Sequence, residues 1–421
     1  MMTQAFYTGL AGIKTYQTAI DVTSDNIANI STVGYRSYSA EFSSLFEEDT
    51  NTQSLKTSVD SSVGIGTRVS TTSMDMGNDG SLELTDRNTD LAIYGNGWFG
   101  LEANGETMFT RAGNFTFDEN SDLVTTSGAY VLGTLADNID ANDVLTKVID
   151  EIQLSDVTSQ QKLTFPKQLT YPAEATTEVR FMANLGVEDT IQTIGAGVVD
   201  PTGIKNDLRL EFKKSAIQIA PGTQWDVTAT VKTLDGETTY DTQTGVVKFD
   251  EKGGLISSTL AKINNNGSAI NLDLGTGYDG VVSTTTDAIS SSSISNGIIK
   301  GDLQGYAINK NAEIIATFTN GMQSSVGKVA LYHFQNDQGL NRSGASTFQA
   351  SANSGEPIFY QDENGNNILG AEVKNYQLES SNVRLEVALT ELIVYQRSYE
   401  ANAKSITTAH EMIQKALEMD A

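Results

Sequence analysis

The chain has 421 residues, enough for two or three domains, and 38% apolar residues supply a core for each. With 27 Lys+Arg against 53 Asp+Glu, its net charge of −26 leaves no basis for the basic patch that nucleic acid or an anionic membrane requires. The absence of Cys excludes disulfides and thiolate metal centres, and with two His in all, metal or nucleophilic catalysis is short of parts. No cofactor and no metal are expected.

The first twenty residues lack the cationic start and apolar run of a cleavable secretory signal, and no stretch approaches 18 apolar residues, so membrane insertion is not expected. The Ser, Thr, Asn, Asp and Gly richness between residues 60 and 360 resembles surface-exposed β proteins, which keeps a signal-less export route open.

In chain order, a helix is expected from about Gln4 to Asn29, with Phe6, Leu10, Ile13, Gln17, Ile20, Ser24 and Ile27 on alternating steps of four and three. It runs into Asp25-Asn26-Ile27-Ala28-Asn29, and Gly34 reads as a helix stop, free to take the left-handed conformation. Residues Ser43 to Asp60 are polar and acidic without an apolar period, as in a linker or extended arm.

A β region follows. Gly95-Asn96-Gly97-Trp98-Phe99-Gly100 satisfies GxGxxG after the strand-like run Asp90 to Tyr94. A dinucleotide loop must open into a helix, whereas Leu101 onward reads as a hairpin turning at Asn104-Gly105, so nucleotide binding is set aside. Asp118, Asn120 and Asp122 match the first ligands of a calcium loop, but Leu123 occupies the position that needs Gly. The similar run Asp362 to Asn366 fails at its twelfth position, Val373.

From about Asp150 to Asn296 the alternations Leu208/Leu210/Phe212, Trp225/Val227/Ala229/Val231 and Ile270/Leu272/Leu274 read as half-buried antiparallel strands of an inserted domain, with Trp225 and Phe249 in its core. The Ser/Thr-rich stretch Val281 to Gly297 reads as its exit. The β region then resumes with a hairpin around Asn309-Lys310-Asn311, and His333 reads as a packed strand residue rather than a ligand.

A last helix is expected from about Ser381 to Met419, with Leu385, Leu389, Leu392, Gln396, Tyr399, Ala403, Ile406, His410, Ile413 and Leu417 on the same four-three steps. At about 60 Å it exceeds one small core and needs a partner, which the first helix offers. Spacing alone is equally met by an intramolecular hairpin. The other faces, however, carry more small and amide residues, such as Ala401, Asn402, Ser405, Thr407 and Thr408, than charge, which suits contact with further copies.

Asn26-Ile27-Ala28-Asn29 with Thr32 and Gly34-Tyr35, the block from Asp90 through Thr110-Arg111-Ala112-Gly113-Asn114-Phe115 to Gly133, the run Phe334 to Gly355, and Gln396-Arg397, Tyr399 and Ala401-Asn402-Ala403-Lys404 together resemble the bacterial flagellar rod and hook axial proteins. The resemblance implies a mixed α and β, multi-domain fold: terminal helices 1–30 and 382–421 as a coiled coil lining an inner tube, an arm over 31–75, a middle β domain from 76–149 with 297–381, and an outer inserted β domain over 150–296, the β domains nested and antiparallel. It implies a homopolymer in the extracellular hook and basal body, exported without a cleavable signal, touching the rod, hook-cap and hook-filament junction proteins. Self-assembly is then expected of Phe6, Leu10, Ile13, Ile20, Asn26, Ile27, Ala28, Asn29, Gly34, Leu385, Leu389, Leu392, Gln396, Arg397, Tyr399, Asn402, Ile406, Ile413 and Leu417. The insert favours a hook over the distal rod protein. A secreted carbohydrate-cleaving enzyme leaves the terminal heptads unexplained, and a surface adhesin of β domains is the other alternative, which a stable monomer with ordered ends would support. Arg384 departs from the family, which commonly has Asp there.

Overall fold

A computed structural model describes residues 2–45, 66–188, 191–218, 220–260, 262–285, 291–344 and 346–419. Most of the acidic linker, residues 46–60, and part of the Ser/Thr-rich exit, 286–290, lie outside the described residues. Helix α1 spans Met2–Ala28 and helix α2 spans Leu385–Met419, and they pack against each other along their length. Two strands, β1 (Tyr38–Leu45) and β2 (Gly66–Met74), pair antiparallel and lie on α1. The described parts of the expected arm, 31–75, are therefore largely a hairpin seated on the first helix.

The middle of the chain forms a thirteen-stranded sheet among the described residues. Its path brings the strand Tyr130–Leu135 between Gln323–Val329 and Trp98–Ala103, so segments far apart in sequence are neighbours in space. One core beneath it holds Phe99, Phe115, Leu163, Phe165, Ile314 and Phe318; a second holds Trp98, Phe109, Tyr332 and Phe348. The loop Gly95 to Gly97 uses positive φ at both glycines and enters a strand, Trp98–Ala103, rather than a helix. The carboxylate of Asp118 is spent on its own turn, accepting the N–H groups of Asn120 and Asp122 at 2.8 and 2.9 Å. His333 is buried, with Nε2 2.6 Å from Leu369 O.

The insert has a separate core of Leu208, Leu210, Phe212, Trp225, Val227, Phe249 and Ile270 among others. Two of the alternating runs lie in a five-stranded meander, Gln192–Val199 through Leu255–Ser258, with Leu208, Leu210, Phe212, Trp225, Val227, Ala229 and Val231 turned inward. Not every strand is antiparallel, contrary to the sequence reading. Ser268–Asp273, which carries Ile270 and Leu272, and Asp279–Val282 both run parallel to Glu178–Asn184. The meander between them supplies the long crossover that parallel pairing requires.

The insert also begins later than residue 150. Gln161–Lys162 pairs with Tyr130–Leu135, Thr170–Tyr171 pairs with Gly301–Ile308, and Leu163, Phe165, Leu169 and Tyr171 belong to the middle core. The two cores meet at a narrow neck: Glu174 bridges Ile298, and the Asn296 side chain accepts the N–H groups of Thr177 and Glu178 at 3.0 and 3.1 Å.

Candidate functional site

The paired helices and the knot that anchors them to the β domain form the site. The inward face of α1 is built of small residues: Gly9, Gly12, Thr15, Ala19, Thr23 and Asn26 are buried. On α2 the deepest positions are Ala388 and Ala409, with Tyr395, Asn402 and Ile406 half-buried between them. The small residues allow close approach. A Cβ at Gly12 would fall 2.3 Å from Asn402 Oδ1, and one at Gly9 would fall 2.8 Å from Ile406 Cγ1. Tyr16 of α1, Phe42 of β1 and Tyr395 of α2 close the middle of the pair, with ring centroids 5.8 to 6.2 Å apart. Thr15 Oγ1 donates to Thr67 O at 2.8 Å and ties in β2.

This contact face is not the stripe that the four-three spacing picks out. On α2, Leu392, Ala403, Ile406 and Ile413 are half-buried as expected of a seam, but its other line falls one residue earlier, at 388, 395, 402 and 409, while 389, 396 and 410 are exposed. On α1, Ile13, Ile20 and Ile27 sit at the flank of the contact, and Phe6 and Leu10 are exposed, as are Gln17 and Ser24. Leu385, Leu389, Gln396, Arg397, Tyr399 and Leu417 are exposed, joined by Val387, Ile393, Val394 and Met412, which the spacing did not select. Among the described residues Arg397 forms its one ion pair with Glu400, one turn away at 3.0 Å on an exposed face. The physical reason is size: helices that approach closely put glycine and alanine between them and turn their large apolar side chains outward.

The expected motif after α1 acts as an anchor. The buried amide of Asn26 mimics a strand, accepting the Tyr38 N–H at 2.9 Å and donating to Tyr38 O at 2.7 Å. Asn29 Nδ2 donates to Asp25 Oδ1 at 2.9 Å, and its own Oδ1 takes the Thr32 hydroxyl at 3.0 Å. Ala28 is exposed. Asp25 pairs with Arg342 at 2.7 Å, and this hydrogen bond holds its carboxyl below the usual range. Burial, reinforced by Asp25, pushes the Tyr35 phenol well up, and Arg342 lies over that ring at 5.5 Å.

Gly34 has φ +65, as expected, but it is not the helix stop, since α1 has already ended at Ala28. Its role is close passage. A Cβ there would fall 2.4 Å from Ala112 N, and its N–H donates to Glu379 O at 2.8 Å.

Beneath Gly34 lies a network that composition and spacing gave no sign of. Glu379, 1% exposed, receives Arg36 Nη2 on Oε1 at 2.9 Å and Arg111 Nε on Oε2 at 3.0 Å, while Asp79 Oδ1 lies 2.8 Å from Arg36 Nη2 and 3.4 Å from Arg111 Nη2. Both arginines are buried. Arg36 also donates to Asn78 O, and Arg111 Nη1 donates to Gly95 O and Gly97 O at 2.7 and 2.8 Å. Burial lowers the Arg111 pKa, opposed chiefly by Glu379. Asn382, just before α2, accepts the Ser37 N–H at 2.7 Å and donates to Asp75 O and Asn78 O at 3.1 and 3.0 Å. Two positive and two negative charges thus weld the exit of α1, the entry of α2 and the glycine loop into one node. Arg384 is exposed beside it and has no ion pair among the described residues.

Three family models match the chain in order: a flagella basal body rod protein model over residues 6–36, a flagellar hook protein FlgE/F/G D1 domain model over 92–176, and a flagellar basal body rod FlgEFG protein C-terminal model over 375–419. The flagellar hook protein FlgE of Borreliella burgdorferi is 28% identical over 99% of this chain and 100% of its own length. Those of Salmonella typhimurium and Escherichia coli are 27% and 28% identical, each over 97% of this chain and 98% of its own length. A crystal structure of a Helicobacter pylori flagellar hook protein shares the fold with a TM-score of 0.51 at 15% identity, covering 71% of this chain and all of that one. The D1 model's last residue, 176, coincides with the neck, and the two terminal models cover the anchored ends of the helices. Matched at its first helix, its middle domain and its last helix in that order, and end to end by hook proteins, the chain belongs to the family of bacterial flagellar rod and hook proteins.

Proposed function

We propose that the chain is a structural subunit of the bacterial flagellar hook. It stacks helically into a hollow, bendable tube that carries torque from motor to filament as a universal joint. The observation that carries this reading is the outward apolar face of two helices already paired through their small residues. Leu389, Ile393 and Val394 are 44%, 59% and 53% exposed on a helix of 35 residues. A single folded chain gains nothing from such a face, whereas neighbouring copies bury it.

In the tube, residues 1–30 and 382–421 line the channel as a coiled coil shared between copies, and the predicted assembly residues that stay exposed, such as Phe6, Leu10, Leu385, Leu389, Tyr399 and Leu417, make its contacts. The β core within 76–149 and 297–381 forms the middle shell, and the insert forms the outer one. Alignment to hook proteins through the insert favours the hook over the distal rod. Similarity to flagellar hook proteins supports a place in the flagellum, and on this reading the subunit arrives by signal-less export and also contacts rod, hook-cap and hook-filament junction proteins. No helix among the described residues is long and apolar enough to cross a membrane.

Electron microscopy of the purified protein, after salting-out or seeding, beside a chain lacking residues 1–30 and 382–421, tests the reading. Tubes from the full chain and none from the truncation are expected. A full-length chain that stays monomeric under every such condition overturns it.

A further inference from the structure

We propose that Lys328 and Asn309 become joined by an intramolecular amide bond, with Glu313 carrying the protons. Glu313 and Lys328 stand on neighbouring strands of the middle sheet, and Asn309 begins the turn that leads into the Glu313 strand. Asn309 follows Gly301–Ile308, Glu313 opens Glu313–Phe318, and Lys328 lies directly across the ladder from Glu313 in Gln323–Val329. Glu313 and Lys328 are buried, at 2% and 9% exposure.

The Glu313 carboxylate spans the other two. Lys328 Nζ is 3.5 Å from Oε1, and Asn309 Nδ2 donates to Oε2 at 3.0 Å. Ile152 fixes the arrangement from a third segment, its N–H donating to Glu313 Oε1 at 3.1 Å and its carbonyl accepting from Lys328 Nζ at 3.0 Å. Asn309 Oδ1 accepts two backbone N–H groups, those of Asn311 at 2.8 Å and Glu313 at 3.0 Å.

These are the parts of an acyl transfer. They comprise an amine nucleophile, a carboxylate between that nucleophile and the leaving nitrogen, and two N–H donors on the oxygen where negative charge develops. Lys328 Nζ gives one proton to Glu313, and the freed amine attacks Asn309 Cγ, pushing the carbonyl electrons onto Oδ1. A second Nζ proton passes through the carboxylate to Nδ2, the Cγ–Nδ2 bond breaks, and ammonia departs. It takes up the proton first held by Glu313 and leaves as ammonium. Nothing is oxidised or reduced, and Glu313 ends unchanged. An adjoining cleft of about 630 Å³, lined in part by Lys328, Asn311 and Asn367, gives the ammonia a way out.

Mass spectrometry of the purified full-length chain tests this without reference to tube formation. The intact mass is expected to fall short of the sequence by one ammonia, and trypsin is expected to release a branched peptide joining residues 301–310 to residues 311–342, uncut after Lys328. Localisation matters because an Asn-Gly succinimide also loses ammonia. Lys328→Arg and Glu313→Gln are each expected to restore the sequence mass. Recovery of residues 301–310 as a free linear peptide from the folded wild-type chain, with cleavage after Lys328, overturns the proposal whether or not the variants fold.

Discussion

Glu379→Gln is the most informative single change, because it removes one charge from a buried node that links both chain ends. In the wild type, two guanidiniums that are almost fully buried share Glu379, 1% exposed, and Asp79, whose side chain is 36% exposed. Without the Glu379 charge they face only Asp79, which reaches Arg111 at 3.4 Å. Removing one partner of a buried ion pair costs about 3–5 kcal/mol, because the other charge stays desolvated. At a urea slope of about 2 kcal/mol per molar, the midpoint should fall by about 1.5–2.5 M. The chain has two tryptophans, Trp98 in the middle domain and Trp225 in the insert, so each can report alone when the other is replaced by Phe. The Trp98 transition should move and the Trp225 transition should not. Arg111→Met should cost a similar amount, since it also strands the carbonyls of Gly95 and Gly97, and the double variant should lose less than the sum by about 0.5–3 kcal/mol. A loss below about 1 kcal/mol for Glu379→Gln would refute the claim that this network holds the helix roots.

Three further outcomes are expected. Gly12→Val forces a side chain into Asn402 and should cost about 1–3 kcal/mol of helix pairing, seen as faster amide exchange along α1 and α2; unchanged exchange would show that the helices do not rely on close approach. Leu389→Ser with Ile393→Ser alters exposed positions, so monomer stability should stay within about 1 kcal/mol while tube formation is lost, and tubes of normal length would count against the outward stripe as an assembly face. Burial holds the His333 imidazole below its ordinary 6.5, against the raising influence of the Leu369 carbonyl and Asp337. Below pH 6.5 the unfolded chain therefore takes up a proton that the folded chain refuses, and stability falls until the folded value is passed. His333→Gln should flatten that part of the thermal melting profile, and an unaltered slope would remove His333 as its cause.

What could be read in the sequence followed from periodicity, and what could not lacked it. Leu208, Leu210 and Phe212 alternate because one face of their sheet is covered, so their inward turn was legible. Strand direction was not, since a period of two reads the same both ways, and the strand carrying Ile270 and Leu272 proved parallel to Glu178–Asn184. The entry to the insert was misplaced because Gln161–Lys162 and Thr170–Tyr171 are too short to carry any period. Arg36 and Arg111 look like any surface arginine in sequence. Only the fold brings Glu379 to them across 343 and 268 positions, differences of 379 − 36 and 379 − 111. The nearest hint was local: Gly34 and the glycines at 95 and 97 mark backbone that must pass close to something, without saying what.

The one-residue offset between the apolar stripe and the observed contact bears on how assembly is controlled. Leu385, Val387, Leu389, Ile393, Val394 and Leu417 are 40–68% exposed, so about half of each side chain remains to be covered. Full burial of such a side chain contributes about 1.5–3 kcal/mol, so covering the six exposed halves contributes about 6 kcal/mol. Bringing two molecules together costs about 4–15 kcal/mol before any contact is made. Leu385 and Val387, two positions apart, point to different sides of α2, so one neighbour covers only part of this surface and leaves association marginal. A position flanked by several copies meets the association cost once and gains contacts on each side, so growth at an existing end is favoured over pairing in solution. Isolated chains should then stay apart at concentrations where seeds elongate, and a dilution series with and without preformed ends measures this directly. Equal critical concentrations in the two series would mean that a single helix contact is already sufficient.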